Sequence, residues 1–222
     1  MTQRSKQLEL VMPTWGGKRM GAGRKRSPGS TSTMKHRSRE PMSRRSALHV
    51  TMRMARNVYN LRSRRSLRVI EASLLSGAVR FGVLVVQTSI QGNHIHLLVE
   101  ADDAISLGRA MKGLAIRIAR GMNRMMGRAG GQVFAERYHT HLLRTPTEVR
   151  NAIHYLRHNR RHHLGERAAF LPASFVDPYT SEAEDLAGVL PSPTLWVLTT
   201  GWLRARRPVR APWRSRESDR AP

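Results

Sequence analysis

The chain has 222 residues, no cysteine, and 39 Lys+Arg against 15 Asp+Glu, which gives a formal net charge of +24. Its length and 40% hydrophobic content suit one medium-sized domain with tails. The lack of cysteine excludes disulfides, thiolate metal sites and cysteine nucleophiles, so metal chemistry would have to use His, Asn, Gln, Asp or Glu. The positive charge favours a polyanionic partner, and we expect nucleic acid and no membrane.

Residues 1–45 predict a mobile basic arm. Gly, Ser, Arg and Lys dominate GGKRMGAGRKRSPGSTSTMKHRSRE, and no hydrophobic period runs through it. The opening MTQRSKQLELVMPTW lacks the apolar core of a secretory signal, so a cytoplasmic location is expected. The uncharged run 186–203 is long enough to span a bilayer, but its prolines, glycines and threonines favour a loop with short packing segments.

The first elements are predicted from residue 48 onward. LHVTMRM alternates apolar and polar residues, as a half-buried strand does. RRSLRVIEASLLSGAV carries apolar residues at helical spacing, and Gly77 can end that helix. VRFGVLVVQTSI predicts a second strand, and residues 91–93 (Gln-Gly-Asn) predict a hairpin turn into a third.

The third strand, HIHLLVE, carries two histidines one residue apart in an apolar run. Alternate residues of a strand point to opposite faces, so Ile95 and Leu97 can face a core while His94 and His96 stand together on the other face. That pair indicates either a solvated surface or a ligand site.

A long second helix is predicted over ISLGRAMKGLAIRIARGMNRMMGR. One face is apolar, and its methionines are interpreted as core residues. The second face is entirely basic, and the segment contains no acid to pair with it, which favours phosphate contact over a merely solvated surface. The arginines of this face are Arg117, Arg120, Arg124 and Arg128.

A fourth strand and a third helix follow. QVFAERYHTHLLR alternates, with Arg137, His139 and His141 on one face, and Arg137 and His139 are further candidates for contacting DNA. His49, His139 and His141 either line the open face of the sheet or are ordinary, partly exposed strand histidines. Residues 145–148 (Thr-Pro-Thr-Glu) match a capping box, so a helix begins there sharply. Its apolar stripe is Val149, Ala152, Ile153 and Leu156, and the opposite stripe is Asn151, Tyr155, His158, Asn159 and His162.

The order strand, helix, strand, strand, helix, strand predicts an α+β fold, the ferredoxin-like βαββαβ antiparallel sheet with two helices on one face. The third helix, near the second face, could bring Tyr155 toward the paired histidines. We therefore divide the chain into an arm (1–45), a catalytic domain (46–165) and a partly irregular extension (166–222).

These residues suggest metal chemistry on a phosphodiester. Two neutral imidazoles can hold a divalent cation, but a third ligand is needed for firm binding. Residues four apart share a helix face, so Tyr155 and Asn159 would arrive together, the phenol as a nucleophile and the amide oxygen as a candidate ligand. Mg²⁺ or Mn²⁺ would suit this chemistry.

The motifs NHIHLL, RYHTHLLRTPTEV and IHYLRHN resemble the single-tyrosine HUH transposases of the insertion-sequence-200-like group, and most closely the REP-associated tyrosine transposases of bacteria. The resemblance covers about residues 48–164. It implies a metal-dependent DNA strand transferase that acts on hairpin-bearing single-stranded DNA through a 5′-phosphotyrosine. By motif position it makes His94, His96 and Asn159 metal ligands and Tyr155 the nucleophile. Relatives often have proline after that asparagine, where this chain has Arg160.

The resemblance leaves several properties open, including whether the protein acts as a monomer or a homodimer. A bacterial cytoplasmic location at the nucleoid is expected.

Four other functions are considered. A DNA-binding regulator without catalysis would share the charge. A carboxylate-triad transposase would need acids, which are scarce, and Asp102 and Asp103 have the pattern of a turn and helix start. A histidine-triad hydrolase is disfavoured by Leu98, which stands where the alternation would place another histidine. A structural zinc site at His139 and His141 would lack cysteine ligands.

Overall fold

The computed structural model describes residues 41–42, 44–183, 186 and 188–205. All of these residues belong to one compact unit. Most of the predicted basic arm, and the last part of the predicted C-terminal extension, lie outside the described residues.

Five strands form one antiparallel sheet. They are β1 (Ser46–Arg53), β2 (Val79–Arg80), β3 (Val83–Ile90), β4 (His94–Ala101) and β5 (His139–Leu143). Their spatial order is β2-β3-β4-β1-β5, so β1 and β4 are the central pair. Apart from the two-residue edge strand β2, this is the order of a ferredoxin-like βαββαβ sheet, and the predicted fold class is confirmed.

Two helices, α1 (Arg64–Leu75) and α2 (Ala104–Met125), pack on one face of the sheet. Each begins at a side-chain cap: Ser63 Oγ accepts from the Ser66 N–H, and Asp103 Oδ1 accepts from two amides in the first turn of α2. The helices approach closely at Gly121, where a Cβ would lie 2.5 Å from Val69 Cγ1. This layer buries the apolar faces of β1, β3 and β4.

The predicted strand VRFGVLVVQTSI is wrong in one respect, because it is two strands joined by a tight turn. Phe81 and Gly82 have φ angles of 54° and 73°, and two successive positive values are typical of a hairpin turn. A side chain at position 82 would also collide with Asp102, since a Cβ there would lie 2.1 Å from Asp102 Oδ2. The turn folds β2 back on β3 as an additional edge strand.

The predicted strand QVFAERYHTHLLR is also too long, because β5 begins only at His139. Thr51 pairs with His139, so an unbroken ladder would place residue 136 opposite Met54, but Phe134 occupies that position. The chain therefore bulges by two residues before β5. Arg137 lies in this irregular segment and is exposed, outside the strand on which it was predicted.

Helix α3 (Pro146–Leu164) covers the second face of the sheet. The predicted capping box is present: the Thr145 hydroxyl accepts from the Glu148 N–H, and the Glu148 carboxylate accepts from the Thr145 N–H. The predicted apolar stripe is buried against β3, β4 and β5.

The predicted polar stripe of α3 is not one solvent-facing surface. Asn159 is only 1% exposed, whereas His158 and His162 are exposed. At about 100° per residue, Asn159 falls at the margin of the buried arc, and Tyr155 lies just beside it. The helix thus turns its phenol and amide toward the sheet and the two histidines toward solvent.

The described part of the C-terminal segment packs back onto the domain. It contains a 3-10 helix (Gly165–Phe170), a π-helical turn (Val197–Gly201) and a short α-helical turn (Trp202–Arg204). Arg62 forms a bidentate ion pair with Asp177, and Leu198 joins the core beneath α3. None of the helices in the described ranges is both long and apolar enough to cross a bilayer.

Candidate active site

The two histidines of β4 lie side by side on the sheet face that α3 covers. Their ring centroids are 4.7 Å apart and nearly perpendicular. His96 is 1% exposed, whereas His94, at the end of the strand, is partly exposed. Ile95, Leu97 and Val99 point into the opposite layer, so the strand alternates as predicted.

Hydrogen bonds engage the Nδ1 atom of each ring. His94 Nδ1 donates to Asn93 Oδ1 at 2.7 Å, which leaves its Nε2 with a lone pair. His96 Nδ1 lies 3.1 Å from His49 Nε2 and 3.2 Å from Thr51 Oγ1. The buried Nε2 of His96 has no hydrogen-bond partner among the described residues. Partners of this kind fix ring orientation in metal sites and leave the second nitrogen for the metal.

The environment keeps these imidazoles neutral. Burial, assisted by the nearby His163 and Arg53, lowers the pKa of His94 to about 4. Burial and the neighbouring His49 hold the pKa of His96 well below the usual histidine value. Neutral imidazole is the form that binds a metal ion, so no proton has to be displaced near neutral pH.

Helix α3 delivers three polar side chains to the same place at intervals of four residues. The Tyr155 ring centroid is 5.2 Å from that of His96, and the His163 ring centroid is 5.7 Å from that of His94. Asn159 lies on α3 one turn after Tyr155 and one turn before His163, so it shares their face of the helix. The structure thus brings Tyr155 together with His94 and His96, and it places Asn159 on the helix face that carries Tyr155.

The Asn159 side chain is a candidate ligand because its buried amide is unsatisfied within the described part of the chain. Neither its Oδ1 nor its Nδ2 has a hydrogen-bond partner among the described residues, although both are buried. An unsatisfied buried polar group costs about 1–3 kcal/mol. Binding of one divalent cation by the amide oxygen and the two Nε2 lone pairs would offset part of that cost. These residues therefore fit a divalent metal.

His49 and His163 also contribute to the site. The sequence left the role of His49 open and did not assign His163 to the site. His49 stacks on His96 with ring centroids 5.1 Å apart, and its own ring lies 6.0 Å from that of Tyr155. His163 lies two turns after Tyr155 on α3, with its ring beside that of His94. The interval from Tyr155 through Asn159 to His163 was the signal that could have identified it.

Other metal sites and acid-based sites find no support in the described ranges. No group of three His, Asp or Glu side chains there could hold a metal ion, so a three-ligand site needs the Asn159 amide. Asp103 caps α2, as its position predicted. Arg45 binds both Glu100 and Asp102, at 3.1 and 2.6 Å. These three acids have structural partners, which disfavours the carboxylate-triad alternative.

The residues predicted to contact DNA do not share one surface. Arg117, Arg120 and Arg124 lie on α2, on the opposite side of the sheet from α3. Arg128 follows α2 and donates to the Asn57 carbonyl at 2.6 Å. His139 pairs with Thr51, which places it on the α3 face, where its Nε2 is 3.2 Å from Glu136. A DNA ligand contacting all of them would have to wrap around one end of the sheet.

Comparisons with known proteins give a likeness in structure only. No family model matches the chain, and no curated protein matches its sequence. A solved structure of a REP-associated tyrosine transposase bound to a REP hairpin is similar over 71% of this chain and 89% of its own, with 12% identity and a TM-score of 0.50. A "putative transposase" from Deinococcus radiodurans R1 is similar over 49% of this chain and 86% of its own, with 16% identity and a TM-score of 0.39. The chain therefore has the fold of the REP-associated tyrosine transposase, as the sequence motifs implied.

Proposed function

We propose that the protein is a metal-dependent DNA transposase that cleaves and rejoins hairpin-bearing single-stranded DNA with Tyr155 as its nucleophile. The observation that carries this proposal is the packing of the Tyr155 ring against His96, beside His94, with the buried Asn159 amide one turn further along the same face of α3. A helical tyrosine usually packs against apolar neighbours. Here part of the Tyr155 side chain packs against the apolar cluster beneath α3, and its ring also makes T-shaped contacts with His96 and His49, whose pKa values are lowered by burial.

The proposed reaction is a transesterification. The Tyr155 phenolic oxygen attacks the phosphorus of a DNA phosphodiester, and the phenolic proton leaves. The bond between phosphorus and the 3′ oxygen breaks, and that oxygen takes up a proton to become a free 3′-hydroxyl. The 5′ phosphate stays bonded to Tyr155. Attack by a 3′-hydroxyl reverses these steps and joins DNA ends.

His94, His96 and Asn159 would hold the metal. Mg²⁺ or Mn²⁺ bound there would polarise the phosphodiester and stabilise the charge that develops on its oxygens. The residues of the chain position the reactants: Asn93 and Thr51 orient the two imidazoles, and α3 carries both the nucleophile and the amide. Burial of His96 and Asn159 keeps competing water from these atoms.

The substrate class follows from charge and from the structural likeness. A formal charge of +24 favours a polyanion. The similar transposase was solved with a REP hairpin, which supports hairpin DNA as the ligand class here. We extend the proposal to action in the bacterial cytoplasm at the nucleoid, as a monomer or a homodimer.

The test is a covalent adduct assay with hairpin-bearing oligonucleotides and Mn²⁺. Wild-type protein should form a protein–DNA adduct and release a fragment with a free 3′-hydroxyl. Tyr155→Phe should form none, because the nucleophilic oxygen is missing. Tyr138→Phe is the matched control, since Tyr138 packs against the core on the other face of the sheet, beneath α1 and α2. Adduct formation by Tyr155→Phe would refute the assignment.

A DNA-binding regulator without catalysis is the second candidate. It is favoured by the position of the α2 arginines, which lie across the sheet from the histidines and could bind phosphate independently of them. This function predicts tight DNA binding by the wild type, no adduct with any metal, and unchanged binding in Tyr155→Phe.

A further inference from the structure

A basic pocket of about 420 Å³ opens between the loop after β1 and the end of α2. We refer to it as the loop pocket. Its main lining residues are Arg56, Tyr59, Arg65, Met125, Met126 and Arg128. Of these, Arg128 was predicted from the sequence to contact DNA and Met125 to lie in the core, and the proposed chemistry uses none of the six.

Three contacts connect the walls of the loop pocket: two join the loop to the end of α2, and one joins α1 to it. Arg128 donates to the Asn57 carbonyl at 2.6 Å, and Arg65 donates to the Met125 carbonyl at 2.8 Å. The backbone N–H of Tyr59 points at Met126 Sδ, 3.4 Å away. The walls of the loop pocket are thus fixed before any ligand arrives, which limits the ordering cost of binding.

The lining combines cationic groups with a flat apolar surface. Tyr59 is 52% exposed, although a large aromatic side chain gains by burial. The two methionines add polarizable apolar surface. Three arginines surround these groups, and none of the described residues that line the pocket is acidic.

A structural role explains only part of this arrangement. A cation near the last carbonyls of α2 stabilises the helix end, and Arg65 already supplies it. The exposed Tyr59 and Arg56 remain unexplained by that role. Stacking on an aromatic ring between cationic groups is how proteins bind single-stranded nucleic acid, in which each nucleotide offers a flat base and a phosphate.

The loop pocket lies at the end of the sheet where His94 stands. The Met54 N–H donates to the Asn93 carbonyl at 2.8 Å, and the Leu61 N–H donates to the Gly92 carbonyl at 3.0 Å, so the loop is attached to the turn before β4. Asn93 in turn bonds His94. A strand leaving the pocket can therefore pass this turn and reach the face that carries Tyr155.

We propose that the loop pocket binds a nucleotide of the single-stranded DNA next to the cleavage site, with the base stacked on Tyr59 and the adjoining phosphates held by Arg56, Arg65 and Arg128. This inference rests on the proposed function in that it takes single-stranded DNA as the ligand. It gives that DNA a path from the α1–α2 side of the sheet to the histidines. The pocket fixes the position of the strand and takes no part in the chemistry.

The test is equilibrium binding in the presence of a chelator, so that cleavage does not contribute. The probe is an oligonucleotide with a hairpin and a single-stranded tail in which one base at a time is replaced by fluorescent 2-aminopurine. The variants are Tyr59→Ala, Tyr59→Phe and Arg56→Ala. The matched controls are Phe81→Ala and Arg80→Ala, which remove an exposed aromatic ring and an exposed arginine at the opposite end of the sheet.

Tyr59→Ala should bind about 5- to 150-fold more weakly, and the quenching at one tail position should disappear. Tyr59→Phe should keep the wild-type affinity and the quenching, because a phenyl ring still stacks on the base. Arg56→Ala should reduce the salt slope by about 0.7 for one lost phosphate contact on a single strand. Both controls should bind like the wild type, and circular dichroism should show all variants folded.

Wild-type affinity and unchanged quenching in Tyr59→Ala would overturn the inference. A loss of affinity in Phe81→Ala as large as that in Tyr59→Ala would overturn it as well. These outcomes are separate from those for the proposed function. If the wild type forms no adduct at Tyr155 but Tyr59→Ala still loses binding, the loop pocket stands and the nuclease proposal fails. If the adduct forms but Tyr59→Ala binds normally, only the loop pocket is refuted.

Discussion

Acid should destabilise this protein through its buried histidines, and His49 gives the sharpest measurement. It is 3% exposed, and burial, with smaller contributions from His141 and His94, lowers its pKa from 6.5 to about 4. Because the folded-state pKa lies below the unfolded one, the unfolded chain takes up the proton first as pH falls. The stability that neutral His49 contributes is fully present above pH 6.5 and is lost between pH 6.5 and about 4.

The size of the loss follows from that difference in pKa. About 1.4 kcal/mol for each unit gives roughly 3 kcal/mol for His49 once the pH is below about 4. At about pH 5, roughly 2 kcal/mol of this is already lost. That is a large fraction of the stability of a typical domain, about 5–15 kcal/mol.

The assay is urea unfolding in a chelator at about pH 7.5 and about pH 5. His49→Gln should lose about 2 kcal/mol less than the wild type over this interval, because its side chain cannot be protonated. His158→Gln, at an exposed position of α3, should lose as much free energy of unfolding over this interval as the wild type, because it leaves the buried histidine cluster intact. The same acid dependence in His49→Gln as in the wild type would refute the reasoning.

Three further predictions concern the metal and the N-terminal region. Asn159→Leu should abolish Mn²⁺ binding measured by calorimetry yet raise the free energy of unfolding in a chelator by about 1–3 kcal/mol, because it removes a buried amide without partners; Mn²⁺ binding equal to that of the wild type would contradict its role. Mn²⁺ affinity should fall as the pH approaches about 4, where His94 becomes protonated, and an affinity independent of pH would count against that ligand. Deleting residues 1–40, which spares Arg45 and its ion pair with Glu100, should lower the salt slope of DNA binding; an unchanged slope would show that the arm makes no phosphate contact.

Periodicity and local chemistry were enough to predict most of the fold. The alternation of HIHLLVE placed His94 and His96 on one face, and the Thr145 and Glu148 capping box marked the start of α3. These signals are encoded by neighbouring residues. The break at residues 81–82 was missed, because a two-residue turn inside an apolar run changes no periodicity and is specified partly by the distant Asp102.

The parts of the site that the sequence did not predict, or left open, depend on long-range packing. The bulge before β5 reflects pairing with β1, and nothing within QVFAERYHTHLLR marks it. The rotation of α3 decides that Asn159 is buried while His158 is exposed, and the apolar stripe fixes this rotation only to within about one residue. His49 reaches the site because β1 is the neighbour of β4, a fact of sheet order rather than of local sequence.

The most direct measurement is mass spectrometry of the protein after reaction with hairpin-bearing single-stranded DNA and Mn²⁺. The account predicts a nucleotide adduct on a peptide that contains Tyr155, lost in Tyr155→Phe and prevented by a chelator. An adduct on another residue, or cleavage that proceeds equally well in Tyr155→Phe, would contradict it.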